Sequence, residues 1–170
     1  LATMTSIGPG SLNIATGLAT AFIDSIPMIS FTGGPQTYML GRGVLQELER
    51  QQDNVFPHIL QPMTKRNWDV QHVDLLADVL PRAFNTALTG RPGPVHIELP
   101  MDIQAEFTDK QVPVPAERRP ASNVVRPDPD SVDAAAAKLL GAQRPVILAG
   151  GGCLEAEAAA EVKAVAEYLD

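Results

Sequence analysis

Asp24-Ser25-Ile26-Pro27-Met28-Ile29-Ser30-Phe31-Thr32-Gly33-Gly34, preceded by Ser6-Ile7-Gly8-Pro9-Gly10-Ser11-Leu12-Asn13, decides how this chain folds. Residues 1–6 suit an extended strand, and Gly8-Pro9-Gly10 then forces a tight bend that glycine tolerates best. Ser11 is placed to open a helix with Leu12, Ala15, Leu18, Ala19 and Phe22 on one face. Pro27 ends the connection, residues 28–32 read as a buried strand, and Gly33-Gly34 caps it. A strand–helix–strand unit with a glycine loop at each strand's carboxyl end is where open α/β sheets bind ligands.

Working outward, residues 35–43 read as a loop and 44–50 as a short helix broken by 54–57. Residues 63–70 suit a strand with Trp68 packed inward. Leu75, Leu76, Val79, Leu80, Ala83, Phe84 and Ala87 recur at helical spacing over 74–88. Pro81 should kink or divide that helix, and Gly90 close it. Val95, Ile97 and Leu99 alternate with His96 and Glu98, which marks a strand with one less apolar face. His96 and Glu98 are expected at the surface or at an interface rather than as a catalytic pair.

Pro113, Pro115, Pro120 and Pro127 hold 105–127 extended as a linker. A second α/β unit then begins, with Asp128 as helix cap and Pro129 at the first helical position. Its expected order is a helix over 134–140 ended by Gly141, a strand over 145–149, a turn at Gly150-Gly151-Gly152, and an alanine-rich amphipathic helix over 155–169. The expected organisation is therefore a domain at 1–104, a linker at 105–127 and the start of another domain at 128–170. Leu1 begins inside a strand and Asp170 falls near a helix end, so the chain is expected to be an interior slice of a longer polypeptide.

Hydrophobic content of 45% with 19% charged residues fits a globular chain. The net charge of −7 argues against nucleic-acid binding, which wants a basic face. No apolar run has the length of a membrane span and no signal peptide is visible. The single cysteine, Cys153, cannot form an internal disulfide and suits a reducing, cytoplasmic compartment. His58, His72 and His96 show no metal-ligand spacing, so no metal site is expected within the chain.

Two glycine clusters are candidate ligand sites. Gly8-Pro9-Gly10 either brings the backbone close to a flat heterocycle or serves only to reverse the chain. A dinucleotide fingerprint fits it poorly, because Gly8-x-Gly10-x-x-Asn13 lacks the third glycine. Gly150-Gly151-Gly152 either admits a pyrophosphate or ring to the backbone or is a plain strand-to-helix turn.

These residues resemble the pyrimidine-binding domain of thiamine-diphosphate enzymes of the acetolactate synthase type. That family carries a Thr-Ser-Gly-Pro-Gly-x-x-Asn loop, a helix, an Asp-Ser-x-Pro corner and a strand ending in Thr-Gly. Here the loop is Thr5-Ser6-Ile7-Gly8-Pro9-Gly10-Ser11-Leu12-Asn13, with Ile7 as one extra residue. The likeness continues through Gln46-Glu47, Thr64-Lys65-Arg66-Asn67-Trp68, Gly90-Arg91-Pro92-Gly93-Pro94-Val95 and Leu99-Pro100-Met101-Asp102-Ile103-Gln104. It resumes at Arg144-Pro145-Val146-Ile147-Leu148-Ala149-Gly150-Gly151-Gly152-Cys153-Leu154.

The resemblance implies an α/β fold: a parallel-sheet pyrimidine-binding domain, truncated at its N-terminus, then the start of a Rossmann-like central domain. It implies a parent enzyme that uses thiamine diphosphate and magnesium to decarboxylate a 2-oxo acid and to ligate or release the resulting carbanion. Gly8, Pro9, Gly10 and Asn13 would lie beside the aminopyrimidine. Gly150, Gly151 and Gly152 match glycines that touch FAD in flavin-containing members, where FAD is bound rather than used for redox chemistry. Gly33, Gly34, Tyr38 and Gln46 fall in the substrate pocket. Family sites form between subunits, which implies a homodimer or homotetramer.

The family's catalytic glutamate lies upstream of the Gly-Pro-Gly loop, and its magnesium-holding Gly-Asp-Gly…Asn-Asn segment belongs to a later domain. Neither is found here, so no catalytic residue is assigned, Glu47, Glu49 and Glu98 included, and the chain alone is expected to be inactive. The substrate-facing loop of acetolactate synthases reads Thr-Gly-Gln-Val-Pro-Arg-Arg-Met-Ile-Gly-Thr-Asp-Ala-Phe-Gln-Glu. This chain has Gly34 for the glutamine, Thr37-Tyr38 for the arginines and Leu45 for the phenylalanine. Those exchanges are expected to widen the cavity and remove polar handles. Open alternatives are glyoxylate carboligation, oxalyl-CoA decarboxylation, cyclic dione hydrolysis, or a non-catalytic nucleotide-binding or scaffold subunit.

Overall fold

Four parallel strands order the first of two compact units, Leu1–Ala116. They are β1 (Ala2–Thr5), β2 (Met28–Gly34), β3 (Asn67–Asp69) and β4 (Pro94–Pro100), in the order β1-β2-β4-β3. The structure is a computed structural model that describes residues 1–44, 46, 56–111 and 126–169. Parallel pairing requires crossovers, and helices supply them. Helices α1 (Pro9–Leu12) and α2 (Ala15–Ile23) join β1 to β2, and α3 (Phe56–Leu60) precedes β3. Helix α4 (Leu76–Leu88) joins β3 to β4, and α5 (Met101–Ala105) follows directly.

The two faces of the sheet differ in chemistry. On one, Ile29, Val95 and Ile97 pack with Val70, Val73, Ala83, Ala87 and Ile103, with Trp68 partly buried against them. On the other, Met28 meets Leu18, Ala21 and Leu60 from α2 and α3. Around Met28 that second face is polar in register: Thr3, Ser30, His96 and Asn67 form one row, and Thr5, Thr32, Glu98 and Asp69 the next. With β2 and β3 on either side and helices on both faces, β4 is buried almost throughout.

Several expectations need correcting. The first helix begins at Pro9, not Ser11, and is interrupted at Asn13-Ile14 before α2. Its inward residues are Ser11, Leu18 and Ala21, while Leu12 and Phe22 are exposed. The strand expected over 63–70 shrinks to β3, because residues 61–63 form a 3-10 turn. Pro81 does not divide α4, which runs unbroken from a 3-10 turn at Val73–Leu75. Only the amide bond to Ala77 is forfeited, and the packing of Ala83 and Ala87 outweighs it. The helix expected over 44–50 falls largely outside the described residues, with Val44 and Gln46 non-helical. His96 and Glu98 are not at the surface: both are buried, because β4 is a central strand and not an edge.

Lysine and arginine close two helices. Lys65 Nζ donates to the carbonyls of Thr86 and Thr89 (2.7 Å to the latter), satisfying the C-terminal end of α4. Arg91 does the same for α2, donating to Ile23 O at 2.6 Å.

The second unit, Glu117–Asp170, holds α6 (Pro129–Leu140), α7 (Gly151–Glu155) and α8 (Ala159–Tyr168). Asp128 caps α6 as its sequence requires, accepting from the Ser131 amide at 3.0 Å, and Gly141 ends it. Residues 145–149 are not a strand: a parallel strand needs a partner, and none is present among the described residues of this unit. Val146 and Leu148 are accordingly exposed. Gly150 caps α7 and Gly151-Gly152 lie inside it, so the expected triple-glycine turn is a helix start. The helix expected over 155–169 is split at 156–158, where Glu157 takes a φ of 55°. Among the described residues, no helix is long and apolar enough to cross a membrane.

Candidate functional site

The carboxyl ends of β1, β2 and β4 lie at one edge of the sheet, and Gly8, Gly10, Gly33 and Gly34 gather there. Gly8, buried, turns the chain after β1 with a φ of 62°. A Cβ at Gly8 would overlap the carbonyl of Gln46, itself held at a φ of 68°. Only glycine satisfies both the backbone angle and this close approach. A Cβ at Gly10 would overlap the Ser6 hydroxyl, and Ser11 Oγ donates to the Ser6 carbonyl. At Gly33 a Cβ would stand 3.2 Å from the Ile7 amide nitrogen. The end of β2 thus lies directly against the corner that follows β1.

Glu98 occupies the space beside Gly34. A Cβ at Gly34 would stand 3.0 Å from Glu98 Oε1 and 3.1 Å from its Cγ. The expectation that losing a side chain at 34 widens the cavity is therefore corrected: the Glu98 side chain fills that room. Leu45, the other exchange expected to enlarge it, lies outside the described residues.

Next to Glu98, His96 Nε2 is 2.8 Å from Thr32 Oγ1. Burial pushes the imidazole pKa down to about 4, so the ring is neutral at pH 7. Its Nδ1, Ser30 Oγ and the hydroxyls of Thr3 and Thr5 are buried without hydrogen-bond partners among the described residues. This band of polar atoms runs beneath the glycine corner on a single sheet face.

The loop after Gly34 turns outward through a 3-10 turn, Thr37–Met39. Thr37 donates its amide to both carboxylate oxygens of Asp102 at 3.1 Å and its hydroxyl to Oδ2 at 2.5 Å. Partial burial opposes ionisation of Asp102. The bonds from Thr37, with those from the Asp102 and Ile103 amides, outweigh it and hold the carboxyl below its ordinary pKa. Tyr38 is exposed.

Gly8, Gly10, Gly33, Gly34 and Gln46 are therefore brought together. Pro9 and Asn13 sit on the exposed side of the corner, and Tyr38 on the loop beyond it. Gly150, Gly151 and Gly152 belong to the second unit. No neighbouring atom lies within 4 Å of a Cβ built at any of the three, and none has a positive φ. Sequence reasoning passed over Thr32, Asp102 and the burial of His96 and Glu98. The alternation over 95–99 had placed the latter pair on one face, but only the strand order shows that face to be covered.

A separate open cavity of about 420 Å³ lies by β3, lined by His58, Lys65, Arg66 and Asn67 among others. Its lysine is committed to the α4 carbonyls and its Arg66 guanidinium stacks 5.3 Å from the Trp68 ring centroid. None of the residues expected at the site lines it.

Comparison with known proteins gives an independent reading. The family described as "Thiamine pyrophosphate enzyme, N-terminal TPP binding domain" matches residues 1–54, the segment that contains the glycine corner. A probable acetolactate synthase large subunit of Methanocaldococcus jannaschii is 36% identical over 165 residues, covering 95% of this chain and 27% of that protein. The acetolactate synthase isozyme 1 large subunit of Escherichia coli K12 is 38% identical over 156 residues, covering 91% of this chain and 26% of that protein. The acetolactate synthase large subunit of Corynebacterium glutamicum is 36% identical over 95% of this chain and 25% of its own length. The chain thus spans about a quarter of the length of these relatives.

Proposed function

Because the chain belongs to the thiamine-diphosphate enzymes of the acetolactate synthase type, we propose that it forms the pyrimidine-facing wall of such an enzyme's site. The observation that carries this is the packing of the end of β2, at Gly33, against the corner that follows β1 and holds Gly8–Gly10, inside the segment matching the thiamine pyrophosphate-binding family. The whole enzyme decarboxylates a 2-oxo acid and joins or releases what remains, with magnesium held by residues outside this chain. Thiamine diphosphate, when bound, supplies the carbanion stabilisation that such chemistry needs.

The residues fit a flat heterocycle on one side only. Gly8 and Gly10 are filled from within by Gln46 and Ser6, so a cofactor would rest on the outer side of the corner, at Pro9 and Asn13. Among the described residues nothing lies within 4 Å of a Cβ built at Gly150, Gly151 or Gly152, an open backbone that supports contact with FAD in the second unit. The site is completed by another copy of the protein, as a homodimer or homotetramer, in the cytoplasm.

Gly33, Gly34, Tyr38 and Gln46 line the acceptor pocket. Thr37 cannot replace an arginine for a substrate carboxylate, since its amide and hydroxyl are both spent on Asp102. Glu98 adds an acid beneath the loop. The pocket therefore prefers a less anionic acceptor than pyruvate. Competition kinetics on the full-length enzyme test this. Self-condensation of pyruvate as the best pair by kcat/KM would overturn the acceptor reading, and failure to bind thiamine diphosphate would overturn the enzyme reading.

A further inference from the structure

We infer that Asp102 is a positioning residue that fastens the loop after β2, and with it Tyr38, in the orientation that selects the acceptor substrate. The inference rests on the reading of that loop as the acceptor-facing wall. Its physical basis is independent of that reading.

Thr37 and Asp102 are 65 residues apart, yet one carboxylate takes both the backbone amide and the hydroxyl of this threonine. Hydrogen bonds to an ionised acceptor are shorter and roughly twice as strong as neutral ones. The carboxylate is itself held by the amides of Asp102 and Ile103 in the turn where β4 becomes α5. A second tie lies alongside: Gln36 Nε2 is 3.4 Å from Met101 Sδ. At its far end the loop closes on Gly8, where the Gln46 carbonyl sits against the corner.

Gly41 and Gly43 have φ values of 69° and 73°, and no atom lies within 4 Å of a Cβ built at Gly43. Tyr38 follows the latched threonine directly, so the Thr37–Asp102 bonds set where its ring starts. Cutting the latch removes the bonds that tie the first residue of the 3-10 turn Thr37–Met39 to the end of β4. Asp102 touches no reacting atom in this scheme and acts through the loop.

Amide hydrogen exchange on the full chain tests the latch. In Asp102→Ala the Thr37 amide should exchange about ten to a hundred times faster, while amides of β2 and β4 keep their protection. Thr37→Ser should retain the wild-type rate, and Thr37→Val should fall between. An unchanged Thr37 rate in Asp102→Ala, or an equal loss across β2 and β4, would overturn the latch. In the full-length enzyme the same variant should raise KM for the acceptor severalfold, with kcat and thiamine diphosphate affinity little changed. A freed Thr37 amide with unaltered discrimination among acceptor 2-oxo acids would refute the positioning role. A full-length protein that binds no thiamine diphosphate would instead defeat the enzyme reading and leave the exchange result standing.

Discussion

Replacing His96 by glutamine is expected to remove a pH dependence from the stability of the first unit. The imidazole is buried between β2 and β4, and burial lowers its pKa from 6.5 to about 4. Across that window the unfolded chain binds a proton that the folded chain refuses. Stability is therefore full above the unfolded pKa and falls as pH drops towards the folded one. At about 1.4 kcal/mol per pKa unit, the whole window costs the wild type on the order of 3 kcal/mol. Urea unfolding at several pH values, with His96→Gln measured in parallel, cancels every other titrating group. Asp102 is one of these, since its lowered carboxyl pKa also withdraws stability at acid pH. Between about pH 7.5 and about pH 4.5 the difference should move in favour of the variant by roughly 2 to 3 kcal/mol. A difference constant to within about 0.5 kcal/mol, the usual reach of a surface substitution, would refute the reasoning.

Lys65→Met should destabilise the first unit by about 1 kcal/mol in chemical denaturation, because the last carbonyls of α4 lose their charged donor. Gly8→Ala should cost about 3 kcal/mol or prevent folding, since it combines a positive φ with overlap on the Gln46 carbonyl; circular dichroism melting reads the loss. Gly151→Ala and Gly152→Ala should be neutral or stabilise α7 by up to about 1 kcal/mol, and a flavin fluorescence titration of the full-length variants tests the proposed FAD contact, which calls for weaker binding.

The strand–turn–helix–strand order was legible because glycine, proline and hydrophobic periodicity act locally. Residues 1–34 and the cap at Asp128 needed no knowledge of the rest of the chain. What depends on neighbours was not legible. Residues 145–149 have the composition of a strand, but strand pairing is a property of two segments and no partner is described in their unit. His96 and Glu98 carry a surface composition, and the order β1-β2-β4-β3 alone puts them inside. The Thr37–Asp102 bonds join positions too far apart for any periodic signal to connect. At the candidate site, motif resemblance pointed to the glycine corner after β1, but not to the Glu98 side chain beside Gly34 or to the Thr37–Asp102 bonds.

The glycines divide into two kinds once their surroundings are known. At Gly8, Gly10, Gly33 and Gly34 the missing side chain is accounted for by protein atoms: Gln46, Ser6, Ile7 and Glu98. Glycine there is a condition of folding the corner, and a ligand is not needed to explain it. At Gly150–Gly152 no atom of the described residues lies within 4 Å of a built Cβ; Gly150 is the cap of α7, and Gly151 and Gly152 sit in a helix that alanine would suit better. Alanine at Gly151 or Gly152 therefore meets no steric obstacle and no unfavourable φ among the described residues. Substitution separates the two kinds: alanine at the first cluster should be lost to misfolding, while alanine at the second should leave a folded protein.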